Sequence, residues 1–143
     1  MKPFNLHQKL LNDTFEITRL KLSLALLMND SSFPWVILVP MREGVTELHD
    51  LPAVDRAVLM EEMAAASRAI EKLYRPDKIN IGALGNIVPQ LHIHVVGRKR
   101  DDRAWPGPVW GSGSPLPYPE AALKAALASL KRAFQDELAI GNL

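Results

Sequence analysis

Two histidines and a glutamine stand at alternate positions in Gln90-Leu91-His92-Ile93-His94-Val95-Val96. In an extended strand successive side chains point to opposite faces. Gln90, His92 and His94 therefore share one face, about 7 Å between alternate residues, while Leu91, Ile93 and Val95 share the other. The apolar row can anchor the strand on a core and leave the polar row as a rigid platform. A neutral imidazole is a competent nucleophile at physiological pH, and a second can donate a proton or a hydrogen bond. Just upstream, Gly82, Gly85 and Asn86 form a turn in which bare backbone N–H groups can converge on an anion. A nucleophile beside an anion cradle points to phosphoryl or nucleotidyl transfer. The same residues admit two other readings. A histidine pair at i and i+2 can ligate a metal, although His7 and His49 lie in unrelated segments and there is no cysteine to complete a set. The row can also be a plain polar face, with Gly82 and Gly85 as ordinary turn glycines.

The elements that must hold this platform follow from periodicity. Leu20-Lys21-Leu22-Ser23-Leu24-Ala25-Leu26 alternates as a half-buried strand does. Asn29-Asp30-Ser31-Ser32 has turn composition, and Pro34 to Pro40 is a second strand rich in Val, Ile and Leu, so the two predict an antiparallel hairpin. Residues from Pro52 to Tyr74 predict a helix, with Leu59, Met63, Ala66, Ile70 and Leu73 on its packed face and Glu61, Glu62, Arg68 and Glu71 toward water. Residues 78–97 predict two more strands around the turn at Gly82 to Asn86. A second helix is expected from Pro119 to Leu138, with Leu123, Leu127, Leu130 and Phe134 on one face. The outline is α+β: an antiparallel sheet with two helices in one domain spanning 1–143.

Bulk properties exclude several classes. A net charge of +1 over 143 residues argues against a polyanionic partner, so no nucleic acid is expected. The densest basic cluster, Arg98-Lys99-Arg100-Asp101-Asp102-Arg103, carries its own acids and reads as a solvated loop. The absence of cysteine excludes disulfides and thiol catalysis. Met1 to His7 lacks the apolar stretch of a signal peptide, and no apolar run approaches the ~20 residues of a membrane helix. A cytoplasmic protein with no membrane partner is the expectation.

Beyond these readings, the segment resembles the histidine triad family, whose signature is His-x-His-x-His followed by apolar residues. Gln90-Leu91-His92-Ile93-His94-Val95-Val96 matches with glutamine in the first histidine position, and Asn80-Ile81-Gly82 with Gly85 matches the part upstream. Met28-Asn29-Asp30, the strand end Leu38-Val39-Pro40 and Leu48-His49-Asp50-Leu51 look like the dinucleoside polyphosphate hydrolase branch. The resemblance implies a five-stranded antiparallel sheet with two helices, usually as a homodimer. It implies a nucleotide substrate attacked at the α-phosphorus by His92, forming a nucleotidyl-histidine that water resolves. His94 would contact phosphate or the leaving group, Gln90 would be the third member of the catalytic set, and Asn29, Asn80, Gly85 and Asn86 would bind substrate. No metal site is implied and no cofactor is strictly required, although a divalent ion can accompany the substrate phosphates.

Two departures bear on the chemistry. Gln90 cannot ionise or shuttle protons, though its amide can hydrogen-bond. Ile87 stands where some members carry a serine near the leaving group. A leaving group such as a polyphosphate, which departs without a strong acid, tolerates both changes better than a phosphoramidate does. Finally, Trp105-Pro106-Gly107-Pro108-Val109-Trp110-Gly111 is a stiff segment with two flat apolar side chains. It either pins a loop to the core or closes over a base or a partner subunit.

Overall fold

Over residues 3–141, which the computed structural model describes, the chain forms α1 (Gln8–Asp13), β1 (Thr14–Arg19), β2 (Ser23–Met28), β3 (Trp35–Pro40), a 3-10 turn (Leu48–Asp50), α2 (Ala53–Tyr74), β4 (Lys78–Gly82), β5 (Ile93–Arg98) and α3 (Glu120–Gly141). Residues 1, 2, 142 and 143 of the expected domain lie outside the described residues. The strands pair antiparallel in the order β1-β2-β3-β5-β4. This is the expected five-stranded α+β architecture with two long helices, to which the structure adds the short α1 and the first strand, β1.

Both faces of the sheet are covered, and this corrects the expectation of a half-buried first hairpin. Ala25, Leu27, Val36, Leu38, Ile93 and Val95 face α2 and α3, meeting Leu59, Ala66, Ile70, Leu130 and Phe134. On the opposite face Leu24, Leu26, Trp35, Ile37 and Val96 pack with Leu10 of α1, Phe33, Val88 and Val109. The alternation of leucine with small residues in β2 records two different packing partners, a helical layer and an irregular one. Each layer hides a face from water, and burial of apolar area is the main favourable term.

The helix expectations hold in extent and fail at two positions. Leu73 is exposed, and Glu62, expected in water, is buried. Its Oε2 accepts the Leu22 N–H at 2.9 Å, satisfying a backbone donor at the turn into β2. Burial pushes the Glu62 carboxyl above its ordinary range. The last strand also starts later than expected. Leu91 N–H goes to the Val45 carbonyl at 3.0 Å, so the segment ahead of Ile93 is held by the 41–51 connection, and the strand ladder begins at Ile93.

The largest correction concerns the basic cluster at 98–103. Arg98 is 1% exposed and forks onto Asp102, with Nε at 2.8 Å and Nη2 at 3.0 Å. Its Nη1 donates to Asn80 Oδ1 at 2.8 Å, joining β5 to β4, and Trp105 lies against the guanidinium. Asp102 also accepts the N–H groups of Lys99, Ala104 and Trp105. The Arg98 guanidinium beside Asp102 holds its carboxyl at about 2. Arg103 in turn donates to Asp30 and Ser32 and sits over the Phe33 ring. This is an anchored loop start, in place of the solvated loop that its alternating charges suggested.

Arg98→Met should destabilise the fold by about 3–5 kcal/mol, because it strands a buried carboxylate without its cation. Urea denaturation of the two proteins checks this; a loss under 1 kcal/mol would show that Asp102 is adequately held by backbone N–H groups alone.

Candidate active site

His94 lies in β5 between Ile37 of β3 and Gly82 of β4, and His92 stands two residues before it, just ahead of the ladder. Both are buried on the face away from α2 and α3, with ring centroids 4.9 Å apart at 66°. The apolar row Leu91, Ile93 and Val95 packs into the helical layer, which leaves the two rings no other side to occupy.

The hydrogen bonds assign opposite tautomers to the two rings. His92 Nδ1 is 2.8 Å from the carbonyl oxygen of Gln90. A carbonyl only accepts, so Nδ1 carries the proton and Nε2 of the neutral ring is a bare lone pair. His94 Nδ1 is 3.0 Å from the Trp35 indole nitrogen. An indole N–H only donates, so Nδ1 is the acceptor and the neutral ring carries its proton on Nε2. Adjacent rings thus present one nucleophilic nitrogen and one N–H donor. Burial, aided by the nearby His92, depresses His94 from 6.5 to about 4. At neutral pH it offers a hydrogen bond, and no titratable proton.

Trp110 completes the surroundings. Its ring lies edge-on to His94 at 5.4 Å. A Cβ at Gly82 would fall 2.8 Å from the Trp110 ring, so the glycine ending β4 is what lets the tryptophan close down beside the histidine. Gly85, at φ +69°, turns the 83–92 connection through the left-handed region that glycine enters without strain.

The histidines lie at a cavity of about 610 Å³, lined also by Leu10, Met28, Ile37 and Val109. That size lies within the ~300–1,000 Å³ usual for small-molecule sites. Asn29, Gly85 and Asn86 line it with His92 and His94. Asn29 Oδ1 accepts the Tyr118 N–H at 2.9 Å, tying this wall to the segment before α3. Asn80 is not among the lining residues, and its Oδ1 is engaged by Arg98. Gln90 is not in the lining either; its amide faces the N-terminal segment. Among the described residues the histidine pair has no third histidine, cysteine or carboxylate close enough to make a set of three metal ligands. The tryptophan-rich loop divides the two roles considered for it: Trp105 is pinned against Arg98, and Trp110 lines the cavity.

Sequence reasoning missed Trp35, which assigns the tautomer of His94, and α1, whose Lys9, Leu10, Asn12 and Asp13 line the cavity. Trp35 is 59 positions from His94, and no spacing rule links them. The one available signal was its place on the Trp35, Ile37, Val39 face of a strand already expected.

The HIT domain family model matches residues 9–101. A solved histidine triad protein from Bradyrhizobium japonicum is 41% identical, superimposes with a TM-score of 0.91, and covers 93% of this chain and 99% of its own. The bis(5'-nucleosyl)-tetraphosphatase (asymmetrical) of Schizosaccharomyces pombe is 30% identical over 89 residues, 59% of this chain and 49% of that protein. The AP-4-A phosphorylase of Mycobacterium tuberculosis is 38% identical over 69 residues, 44% of this chain and 35% of that protein. The match therefore spans half or less of these two curated relatives.

His94 should remain unprotonated by NMR until about pH 4, and Trp35→Phe should raise that midpoint by removing the donor to Nδ1. The sign for stability follows. Between pH 6.5 and about 4 the unfolded chain binds a proton that the native ring refuses. The contribution is therefore complete above pH 6.5 and is lost as pH falls through that window, up to about 3 kcal/mol. An ordinary midpoint near 6.5 for the wild-type ring would remove the argument.

Proposed function

The chain belongs to the HIT domain family, and we propose that it is a nucleotide hydrolase or transferase acting at a nucleoside α-phosphate through a covalent nucleotidyl-His92. The observation that carries this reading is the opposed tautomers of His92 and His94 at one cavity.

His92 Nε2 attacks the α-phosphorus. A P–N bond forms, the P–O bond to the leaving group breaks, and the leaving group departs with the electron pair. Water then attacks the same phosphorus, the P–N bond returns its pair to Nε2, and the water proton passes to solvent. His94 Nε2–H donates to a non-bridging oxygen as charge builds on it, the role of an oxyanion donor. The Asn86 amide and the backbone N–H groups around Gly85 supply further donors to the phosphates from the exposed connection. Leu10, Met28, Ile37, Val109 and Trp110 take the nucleoside, with Asn29 at the same wall.

The leaving group is the point of choice. His94 is neutral at working pH, and Ile87 at the rim brings no hydroxyl. The leaving group must therefore depart as an anion in its own right, which a polyphosphate does and an amine does not. A dinucleoside polyphosphate fits better than a nucleoside phosphoramidate, in line with the names of the two curated relatives. Any divalent ion is assigned to the substrate's phosphates. We include a homodimer in the reading: Ile81, Leu84 and Ile87, exposed at or near the edge strand β4 and the rim, are apolar surface that a second copy can cover. A cytoplasmic setting is likewise proposed; no helix among the described residues is long and apolar enough to cross a membrane.

Intact-protein mass spectrometry after brief acid quench with a diadenosine polyphosphate should detect an adenylyl adduct on the wild type. His92→Ala should give no adduct and cut turnover by roughly 10³-fold or more while keeping the fold. Turnover at wild-type rate by folded His92→Ala protein would refute the mechanism, and nucleotide binding without any product would leave a binding protein.

A further inference from the structure

Gln90 occupies a signature position yet stands outside the cavity lining, and its amide is engaged at both ends. Oε1 accepts the His7 N–H at 2.8 Å, and Nε2 donates to the Asn5 carbonyl at 2.9 Å. These are the two backbone groups that one residue of a neighbouring strand would meet through its N–H and C=O, and the side-chain amide takes that residue's place. The docked residue then starts a helix: His7 Nδ1 accepts the Lys9 N–H at 3.1 Å, and the His7 carbonyl accepts the Leu11 N–H at 3.0 Å. From that helix, Lys9, Leu10, Asn12 and Asp13 line the cavity. Leu10 is 4% exposed and belongs to the apolar cluster of Trp35, Ile37 and Val109 beneath it. The carbonyl of the same Gln90 accepts the His92 Nδ1–H.

We propose that Gln90 is a positioning residue: its side-chain amide docks the N-terminal segment so that α1 closes one wall of the nucleotide cavity. This rests on reading the cavity as a nucleotide site and assigns one of its walls to residues 5–13. A glutamine suits the task where a histidine does not. An amide presents donor and acceptor side by side on one edge, whereas the two nitrogens of an imidazole diverge. Gln90 thus acts on this cavity through α1.

The test compares wild type, Gln90→Ala and Gln90→His by AMP calorimetry, steady-state kinetics and amide hydrogen exchange over residues 7–13. Both variants should exchange faster at Leu11 and its neighbours and bind AMP about 5- to 10-fold more weakly, since a wall that must first be ordered costs affinity. KM should rise more than kcat falls, and the ¹⁵N signature of protonated His92 Nδ1 should persist, because the carbonyl remains. Faster exchange with unchanged AMP affinity overturns the assignment of the wall. Weaker binding with intact protection overturns it differently, since Gln90 would then touch the ligand. Gln90→His with wild-type protection and affinity removes the argument from amide shape. Wild-type protein that binds no AMP refutes the nucleotide reading itself, and that result is visible before any variant is made.

Discussion

Arg98 carries a charge with almost no contact with water, and its partners join β4, β5 and the start of the loop that covers the histidines. A buried guanidinium is tolerable only when its donors are paired and its charge is compensated. Asp102 supplies the charge and two acceptors, Asn80 a third, and the Trp105 and Phe33 rings cover the guanidinium. The consequence is geometric. The node ties edge strand β4 to β5 and fixes the point from which the chain leaves the sheet, so the following loop returns over the face that carries the histidines. Trp110 reaches His94 because that loop departs in a set direction and Gly82 leaves room for it.

Neither long helix lies over the histidine face, and its covering is made of short pieces: α1 with its lead-in, the 83–92 connection and the 99–119 loop. A helical layer would have filled the space over His92 and His94 with close-packed side chains. Irregular pieces held at a few polar nodes leave a cavity. Asp30 serves one such node, accepting from Ser32, Leu116 and Arg103, and Gln90 serves another. Polar nodes do here part of what apolar packing does on the helical face, and they bring side chains from both ends of the chain to one wall.

Much of this was legible in the sequence, for reasons that differ by element. The β2–β3 hairpin and both long helices were readable because apolar periodicity reports directly on a packed face. The row Leu91, Ile93, Val95 and the opposed pair His92, His94 followed from the two-residue repeat of extended chain. β1 and α1 were not readable: a register shift between Glu16 and Thr18 interrupts the two-residue repeat of β1, and α1, at six residues, spans fewer than two helical turns. Glu62 was misjudged because its acid reads as surface, while a free Leu22 N–H at a strand entrance needed an acceptor. The 98–103 cluster was misjudged for a similar reason, since charge composition does not record which charges find partners.

The sequence by itself determined the order of the two hairpins and the two long helices, the shared face of His92 and His94 and the resemblance to the family, because each depends on local spacing along one segment. Only the tertiary structure decided which nitrogen of the His94 ring bears the proton, how far His94 is from being charged, and where the Gln90 amide goes. Those depend on Trp35, on burial, and on Asn5 and His7, groups far away in the chain. Hydrogen-bond polarity and desolvation are properties of surroundings, and only folding supplies the surroundings.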